Sequence, residues 1–338
     1  MQNPILGIIG GGQLGSMLSN AAKKLKIKTI IYSDDIDSPA KNFCDEFIYG
    51  NYNDDLKLSE FAKKVDKVTF EFENIPYETL NKINKIKKVL PRPEINKIVQ
   101  NRVLEKKFIN NINIKTTQYI MLKKKDDFKL ASHLIPGIIK TCTLGYDGKG
   151  QYKIDSEQDL DNIKLDFSKE YIFEKLIDLK KEISVIIVRF GKNNYEIYEP
   201  IENEHEEQIL KYSNIPAAIN TEQFDQSKEW AIKIAEELDF VGTMCVEFFI
   251  DDKDQLYVNE IAPRVHNSGH LTINTHNISQ FENHIRATCG LEQIQLKKNF
   301  NAKMINLIGD NITEYREKDF KKNEFFYDYL KKEIKKKR

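Results

Sequence analysis

The sequence predicts an α/β protein that begins with a doubly wound domain and continues into one or two further domains. The first residues read as an apolar strand at 5–9, a glycine-rich turn at 10–15, a helical pattern at 17–25 and a second strand at 29–32. Such a βαβ unit with glycine in its first turn is typical of doubly wound parallel sheets. The chain has 338 residues, which is too long for one ordinary hydrophobic core, so two or three domains are expected.

The glycine-rich turn is a candidate substrate contact. Gly10, Gly12 and Gly15 satisfy the pattern G-x-G-x-x-G, and the acidic Asp34 follows about 20 residues later, as in dinucleotide-binding turns. Glycine lets backbone N–H groups approach an anion at the start of the following helix. The turn favours contact with a substrate or its phosphate. Binding of a nicotinamide dinucleotide and a purely geometric role are the alternatives.

The apolar strand that begins at Lys67 runs into polar residues. The carboxyl ends of parallel strands line the ligand cleft of a doubly wound sheet. Glu71, Glu73 and Asn74 are therefore candidates for the rim of that cleft. The alternative is a solvated strand end, which explains Glu71 about as well and Glu73 less well.

A proline-rich break at 91–93 predicts a domain boundary or a linker. A helical pattern follows at about 95–109, and it carries Arg102 and Lys106 four positions apart on one face. The spacing alone is explained equally well by a solvated helix face.

A second glycine-rich segment follows the short strand that ends at Lys140. Its functional candidates are Gly145, Tyr146, Asp147, Gly148, Lys149, Gly150 and Gln151. A mobile glycine-rich flap that carries a cation suits the covering of nucleotide phosphates. The segment lacks the Walker pattern G-x-x-x-x-G-K-[ST], and an ordinary hairpin with an Asp-Gly turn is the alternative.

Two strands separated by a short polar break are predicted at 171–177 and 180–189. Backbone groups near Glu174, Lys175 and Ile177 could hydrogen-bond the edge of an adenine, and Glu182 could accept from ribose hydroxyls. Taken alone, this pattern is only weak support for a nucleotide site.

Two carboxylates in apolar strands predict a metal site. Glu247 lies in the run 243–250 and Glu260 in the run that starts at 258, and the polar segment 251–254 between them reads as a hairpin turn. Adjacent strands would aim both carboxylates, with Asn259 beside them, at one point. Carboxylates completed by nucleotide phosphates are the usual ligands of Mg²⁺. A pair of exposed strand carboxylates is the alternative, but the apolar context makes uncompensated charge costly.

Composition excludes several classes of protein. Basic and acidic residues balance at 52 each, so no overall field favours nucleic acid or an anionic membrane. The four cysteines have no C-x-x-C spacing, which argues against a zinc site or a disulfide framework. The first residues lack the basic region of a signal peptide, and no apolar run approaches the roughly 20 residues that span a bilayer. We expect a soluble, cytoplasmic protein without a nucleic-acid or membrane partner.

Together these motifs resemble the ATP-grasp superfamily, and within it the N5-carboxyaminoimidazole ribonucleotide synthetase family. The matching segments are IIGGGQLGSML at 8–18, FEFENIP at 70–76, GYDGKGQ at 145–151, NEIAPRVHNSGH at 259–270, SQFENHIRA at 279–287 and MINLIG at 304–309. The resemblance implies an N-terminal doubly wound domain at 1–98 and a central ATP-grasp α+β domain at 99–290. It also implies a lid at about 115–178 and a small, β-rich C-terminal domain at 291–338.

The resemblance also implies an activity. Enzymes of this family use ATP and bicarbonate to carboxylate 5-aminoimidazole ribonucleotide (AIR), forming N5-carboxyaminoimidazole ribonucleotide, ADP and phosphate through carboxyphosphate. They require Mg²⁺, for which Mn²⁺ is a substitute, and they are typically homodimers. Such chemistry rests on cations and a lid that excludes water rather than on covalent catalysis by the protein.

Residue roles follow from the same resemblance. The metal ligands are Glu247 and Glu260. The ATP-binding residues are Arg102, Lys140, Gly145, Gly148, Lys149, Gly150, Gln151, Glu174, Lys175, Ile177, Glu182 and Asn259. The residues that face bicarbonate, carboxyphosphate and AIR during the reaction are Arg264, His266, Asn267, Tyr146 and Asp147. The AIR-binding residues are Gly12, Gln13, Leu14, Glu73, Asn74, Lys332 and Arg338.

Two departures from the family pattern bear on these roles. Residues 141–144 replace an arginine and a glycine that commonly precede G-Y-D-G, which is expected to alter lid contacts and to bring Cys142 near the site. The family's basic C-terminal motif continues past the position of Arg338, so natural shortening, an incomplete sequence and a weakened AIR-phosphate site all stay open. Competing interpretations are another ATP-grasp ligase, an NAD-dependent oxidoreductase and a non-catalytic nucleotide-binding subunit.

Overall fold

The N-terminal part of the chain is a four-stranded parallel sheet with helices on both faces. The structure is a computed structural model that describes residues 3–143, 150–307 and 311–328. The strands and helices of this part are β1 (Leu6–Ile9), α1 (Gln13–Lys24), β2 (Thr29–Ser33), β3 (Glu46–Tyr49), α2 (Asp55–Lys64), β4 (Lys67–Phe70) and α3 (Tyr77–Asn84). The strand order β3-β2-β1-β4 places β1 in the middle. The predicted doubly wound fold is confirmed, with α1 packed on one face and α2 and α3 on the other.

Two short helices link this sheet to the rest of the chain, where the sequence predicted one helix over 95–109. They are α4 (Pro93–Val99) and α5 (Arg102–Asn111). The single-helix prediction is wrong because Asn101 caps α5, accepting hydrogen bonds from the N–H groups of Val103 and Leu104 at 3.0 and 3.1 Å. The preceding Gln100 side chain donates to the carbonyls of Glu73 and Ile75, which ties the break to the N-terminal part.

An antiparallel four-stranded sheet lies where the lid is predicted. Its elements are β5 (Tyr119–Leu122), α6 (Phe128–Ala131), β6 (Gly137–Thr141), β7 (Gln151–Ile154), α7 (Glu157–Asn162) and β8 (Tyr171–Lys175), and the strand order is β5-β8-β6-β7. The core of this sheet includes Phe128, Ile139 and Phe173. The sheet brings Lys140 of β6 beside Glu174 of β8.

A seven-stranded antiparallel sheet forms the centre of the molecule. Its elements are β9 (Leu179–Gly191), β10 (Asn194–Ile197), β11 (Ile201–Glu206), β12 (Ile209–Ile215), α8 (Thr221–Glu237), β13 (Gly242–Asp251), β14 (Leu256–Ala262) and β15 (Ala302–Ile305). The order is β14-β13-β9-β11-β12-β15, with β10 paired to β9. The amphipathic helix α8 covers one face. The opposite face carries the polar residues of the candidate site.

The segment after β14 connects the central sheet to the N-terminal sheet. It contains a 3-10 turn at Asn267–Leu271, then α9 (Thr272–Thr275) and α10 (Gln280–Cys289). Phe281 and Ile285 of α10 pack in the same core as α1. The fully buried ring of His284 contacts Thr69 of β4 at 2.7 Å through Nε2 and accepts from the Thr243 N–H at 3.0 Å through Nδ1. Both ring nitrogens of His284 are therefore used by contacts within the protein.

Past residue 290, the described residues contain β15, which extends the central sheet by antiparallel pairing with β12, and a short helix α11 (Asn311–Glu317). The predicted domain limits of 98 and 290 stay predictions. No helix within the described ranges is both long and apolar enough to cross a membrane.

Candidate active site

The site is built on the β13–β14 hairpin that the sequence predicted. Glu247 and Glu260 are directly opposite each other in the antiparallel register. A bulge separates this pair from the next one, Phe248 and Val258, and leaves Asn259 as the additional residue. Strict alternation would place Val258 and Glu260 on the same face. The bulge instead turns Val258 into the core against α8 and leaves Glu260 beside Glu247 on the other face.

Helix α5 supports the bulged strand. The Glu105 carboxylate accepts a hydrogen bond from the Ile261 N–H at 2.7 Å, and Lys106 Nζ lies 3.4 Å from the Asn259 carbonyl oxygen. Both side chains are buried. Burial raises the pKa of Glu105 to about 8, and the neighbouring charge of Glu260 acts in the same direction. The sequence patterns did not reveal Glu105, because its partner is a backbone group 156 residues away.

Each of the two facing carboxylates has a cationic or imidazole neighbour. Glu247 Oε1 lies 3.0 Å from His266 Nε2, and Glu260 Oε2 lies 3.4 Å from Arg102 Nη1. The Cys142 carbonyl accepts from the Arg102 N–H at 3.0 Å, so this cysteine lies next to the site, as expected.

The two carboxylates fit a divalent cation. Like charges directly opposite on neighbouring strands destabilise a sheet, and a cation between them would reverse that effect. Their side chains are 16% and 41% exposed, so both are accessible from the cleft. An all-oxygen donor set suits Mg²⁺ or Mn²⁺. A different group, formed by Cys245, Glu247 and His266, has ligand atoms within 4.8 Å of one another, but its mixed sulfur, oxygen and nitrogen donors suit zinc rather than magnesium.

The predicted nucleotide-binding residues lie together where the four-stranded antiparallel sheet (β5 to β8) contacts α5. The buried Glu174 carboxylate lies 2.7 Å from Lys140 Nζ and 3.4 Å from Lys106 Nζ. Burial alone would raise the pKa of Glu174, but the charges of Lys106 and Lys140 outweigh it and lower the pKa to about 2. The side chain of Glu174 therefore holds two lysines in place. The Glu174 backbone lies between Tyr119 of β5 and Ile138 of β6, so an adenine contact at this residue stays a prediction.

The segment after β8 leaves backbone groups for a ligand. The Lys175 N–H and carbonyl are used by Gln118 and Thr117, and the Lys175 side chain is exposed. Neither backbone group of Ile177 hydrogen-bonds to another described residue. Glu182, the candidate ribose acceptor, forms a close contact with the ring of His205. Burial lowers the pKa of that imidazole, but Glu182 outweighs burial, so the net shift is upward.

The strand end at Glu73 meets the segment that follows β14. Arg264 Nε donates to Glu73 Oε2, and Arg264 Nη1 donates to the Val265 carbonyl at 2.9 Å. Burial would lower the pKa of Arg264 and raise that of Glu73, but their mutual attraction outweighs burial at both groups. Asn74 and Asn267, the sequence neighbours of Glu73 and His266, are both half-buried. The structure thus brings together the predicted AIR-binding strand end and the predicted carboxylation segment.

An internal carboxylate occupies the glycine-rich turn. The N–H groups of Gly12 and Gly15 both donate to Glu71, whose side chain is buried. A Cβ at Gly10, which has a φ of +98°, would lie 2.5 Å from the Glu71 side chain. A phosphate could reach these N–H groups only by displacing Glu71, so the contacts left for a ligand are those of Gln13 and Leu14, both half-buried. Neither the cleft-rim nor the solvated interpretation of Glu71 matches this burial.

Some predicted residues lie outside the described part of the chain. These are Gly145, Tyr146, Asp147, Gly148, Lys149, Lys332 and Arg338. Of the predicted residues in this glycine-rich segment, Gly150 and Gln151 are described. The Gly150 carbonyl accepts from the Thr141 N–H at 3.1 Å, and Gln151 pairs with Lys140 across β6 and β7.

Comparison with known proteins places these features in a family. A family model described as an ATP-grasp domain matches residues 107–281, and one described as a ribonucleotide synthetase preATP-grasp domain matches residues 3–100. The chain is 39% identical to the N5-carboxyaminoimidazole ribonucleotide synthase of Staphylococcus aureus (strain MRSA252), over 95% of this chain and 84% of that protein. It is 37% identical to the enzyme of the same name from Bacillus subtilis (strain 168), over 98% and 88%.

Solved structures agree with the sequence relatives. The crystal structure of N5-carboxyaminoimidazole synthetase from S. aureus complexed with ADP has a TM-score of 0.90 and 36% identity, covering 98% of this chain and 90% of that one. The Aspergillus clavatus enzyme in complex with ADP and 5-aminoimidazole ribonucleotide has a TM-score of 0.82 and 27% identity, covering 91% and 82%. The chain therefore belongs to the N5-carboxyaminoimidazole ribonucleotide synthase family of ATP-grasp ligases.

Proposed function

We propose that this chain carboxylates AIR with bicarbonate at the expense of ATP, releasing N5-carboxyaminoimidazole ribonucleotide, ADP and phosphate in purine biosynthesis. The observation that carries the proposal is the position of Glu247 and Glu260, opposite each other on the open face of the central sheet. Arg264 and His266 follow on the same connection and lie beside these carboxylates and the N-terminal strand end. This arrangement suits phosphoryl transfer next to a second substrate.

The nucleotide is proposed to bind between the lid sheet and the central sheet. The backbone groups of Ile177, which bond to no other described residue, can pair with the adenine edge. Lys140, beside Glu174, and Arg102, beside Glu260, are the cations proposed to contact the phosphates. Glu247 and Glu260 would hold Mg²⁺, or Mn²⁺ in its place, and the ion would neutralise charge on the phosphate oxygens.

The protein residues position the reactants rather than reacting with them. A bicarbonate oxygen attacks the γ-phosphorus of ATP, the bond to the β,γ-bridging oxygen breaks, and carboxyphosphate and ADP form. The exocyclic amine of AIR then takes the carboxyl group, either directly or from CO₂ released from carboxyphosphate, and gives up a proton as phosphate departs. Arg264 is proposed to orient these anions by its charge, and His266 and Asn267 are proposed to orient them by hydrogen bonds. The lid residues 145–149 would exclude water, because carboxyphosphate hydrolyses readily.

AIR is proposed to lie between the N-terminal sheet and this segment. Its candidate contacts are Gln13 and Leu14 on the glycine turn, Glu73 and Asn74 on the strand end, and the basic residues Lys332 and Arg338. The free cysteines, the charge balance and the family suggest a cytoplasmic enzyme, and the family suggests a homodimer.

The decisive measurement is ADP release in the presence of ATP, Mg²⁺ and bicarbonate, with and without AIR. AIR-stimulated release that disappears in Glu260→Gln would support the proposal. Glu204→Gln is the matched control, because that glutamate is exposed on β11 of the same sheet. ATP hydrolysis that AIR does not stimulate in the wild-type chain would overturn the assignment of AIR as acceptor, and unchanged activity of Glu260→Gln would overturn the metal site.

A further inference from the structure

A chain of buried polar side chains crosses the central sheet and ends on His266. Ser213 of β12 donates to Asn203 Oδ1 at 2.8 Å, and Asn203 Nδ2 of β11 donates to Ser184 Oγ of β9 at 2.9 Å. Ser184 Oγ then donates to Ser268 Oγ at 2.7 Å, and Ser268 Oγ lies 2.9 Å from His266 Nδ1. The three serines are fully buried and Asn203 is 7% exposed.

The direction of these hydrogen bonds follows from the donors available. The Asn203 amide can only donate from Nδ2, so the Ser184 hydroxyl accepts there and gives its own proton to Ser268. The proton of the Ser268 hydroxyl is then left to point at His266 Nδ1. A buried polar group without a partner is costly, which favours this single, fully satisfied arrangement of the chain.

A second contact, independent of the hydroxyl chain, agrees with this direction. The backbone N–H of Ser268 points at His266 Nδ1 from 3.3 Å. A backbone N–H can only donate, so Nδ1 has to accept and the ring proton belongs on Nε2. Nε2 in turn lies 3.0 Å from Glu247 Oε1, an acceptor.

The backbone of His266 is held as firmly as its ring. The Gln280 side chain accepts from the His266 N–H at 3.0 Å through Oε1 and donates to the His266 carbonyl at 2.6 Å through Nε2. Gln280 is fully buried, and a Cβ at Gly269 would lie 2.5 Å from its amide group. The close packing against Gly269 therefore holds the Gln280 amide in place, and this amide in turn holds the backbone of His266.

We propose that Ser213, Asn203, Ser184 and Ser268 are positioning residues that keep His266 in the tautomer with its proton on Nε2. His266 then serves as a hydrogen-bond donor toward Glu247 and the carboxylation site, and it does not serve as a base. This role rests on the proposed function only for its effect on the reaction rate. The tautomer itself is a property of the protein without substrate.

The first test is the tautomer, read from ¹⁵N shifts of histidine-labelled protein at one fixed pH, with the His266 signals assigned by their loss in His266→Gln. The wild type should show an unprotonated Nδ1 and a protonated Nε2, and Ser184→Ala should lower the fraction with unprotonated Nδ1. Ser213→Ala, at the far end of the chain, should act in the same direction but less. Ser227→Ala, which removes a buried serine hydroxyl from α8, is the matched control and should leave the His266 signals unchanged.

The second test is a double-mutant cycle on the rate of AIR-stimulated ADP release. Ser184→Ala should lower kcat by about tenfold with little change in KM for ATP, as loss of a supporting hydrogen bond typically does. In the His266→Gln background, Ser184→Ala should have no further effect, whereas a merely structural loss would lower both backgrounds equally. A protonated Nδ1 in the wild type, or tautomer signals insensitive to both serine variants, would overturn the proposal whether or not the chain carboxylates AIR.

Discussion

Replacing Glu174 by glutamine removes a carboxylate that lies between two lysines of the candidate nucleotide site. Lys106 is 2% exposed and Lys140 is 12% exposed, at 3.4 and 2.7 Å from the carboxylate. Glutamine keeps the size and the hydrogen-bonding atoms of the side chain but not its charge. The substitution therefore leaves two cations in a buried environment without their compensating anion.

Two routes give the size of the effect. The lysines lower the pKa of Glu174 from 4.5 to about 2, and because each pH unit corresponds to ~1.4 kcal/mol, the charged carboxylate contributes ~3 kcal/mol at neutral pH. Removing one partner of a buried pair typically costs about 3–5 kcal/mol. A depressed pKa in the folded state means that this stability is present above pH ~4.5 and is lost as the pH falls toward ~2.

The measurement is hydrogen exchange of the β6 and β8 amides together with urea unfolding at pH 7. Glu174→Gln should speed exchange in both strands and lower the free energy of unfolding by ~3 kcal/mol or more. The matched control is Glu46→Gln, which removes the carboxylate of a 2.6 Å pair with Lys64 on the surface and should change stability far less. Equal effects of the two substitutions would refute the idea that burial makes Glu174 indispensable to its lysines.

Three further predictions concern other parts of the molecule. Glu71→Leu removes the acceptor of the Gly12 and Gly15 N–H groups, and unsatisfied buried donors cost ~1–3 kcal/mol each, so the free energy of unfolding in urea should fall by at least that much. A loss below ~1 kcal/mol would contradict the idea that Glu71 is the buried acceptor of these two N–H groups. Burial lowers the pKa of His284 to about 3, so the unfolded chain binds a proton below pH ~6.5 that the folded chain does not. Between pH 7 and 5 the wild type should therefore lose ~2 kcal/mol more of its unfolding free energy than His284→Gln, and equal slopes would count against a neutral, buried ring. Chelation of divalent cations should abolish ADP release. Glu247→Gln should raise the Mg²⁺ concentration for half-maximal rate about tenfold, the equivalent of ~1.4 kcal/mol of binding free energy. An unchanged Mg²⁺ requirement would exclude Glu247 as a metal ligand.

Local patterns were sufficient for the doubly wound start and for the hairpin that carries the facing carboxylates. Both depend on neighbours in the sequence: a glycine turn between strand and helix at 10–15, and two apolar runs around the polar segment 251–254. The single residue inserted at Asn259 is different. Alternation alone assigns Val258 and Glu260 to one face, and only the register of the folded hairpin and the packing of Val258 in the core show that they lie on opposite faces.

The partners of the polar side chains could not be predicted for a related reason. A carboxylate or imidazole in an apolar run signals a desolvation cost that some other group has to offset, but it does not say which group. The partner of Glu73 is an arginine 191 residues away, and the partner of Thr69 is a histidine 215 residues away. A polar residue at a strand end is thus equally consistent with a ligand contact and with an internal partner. Glu71 is an example, because it accepts hydrogen bonds from the N–H groups that the glycine motif would otherwise present to an anion. Only the tertiary structure distinguishes a ligand contact from an internal partner at such a position.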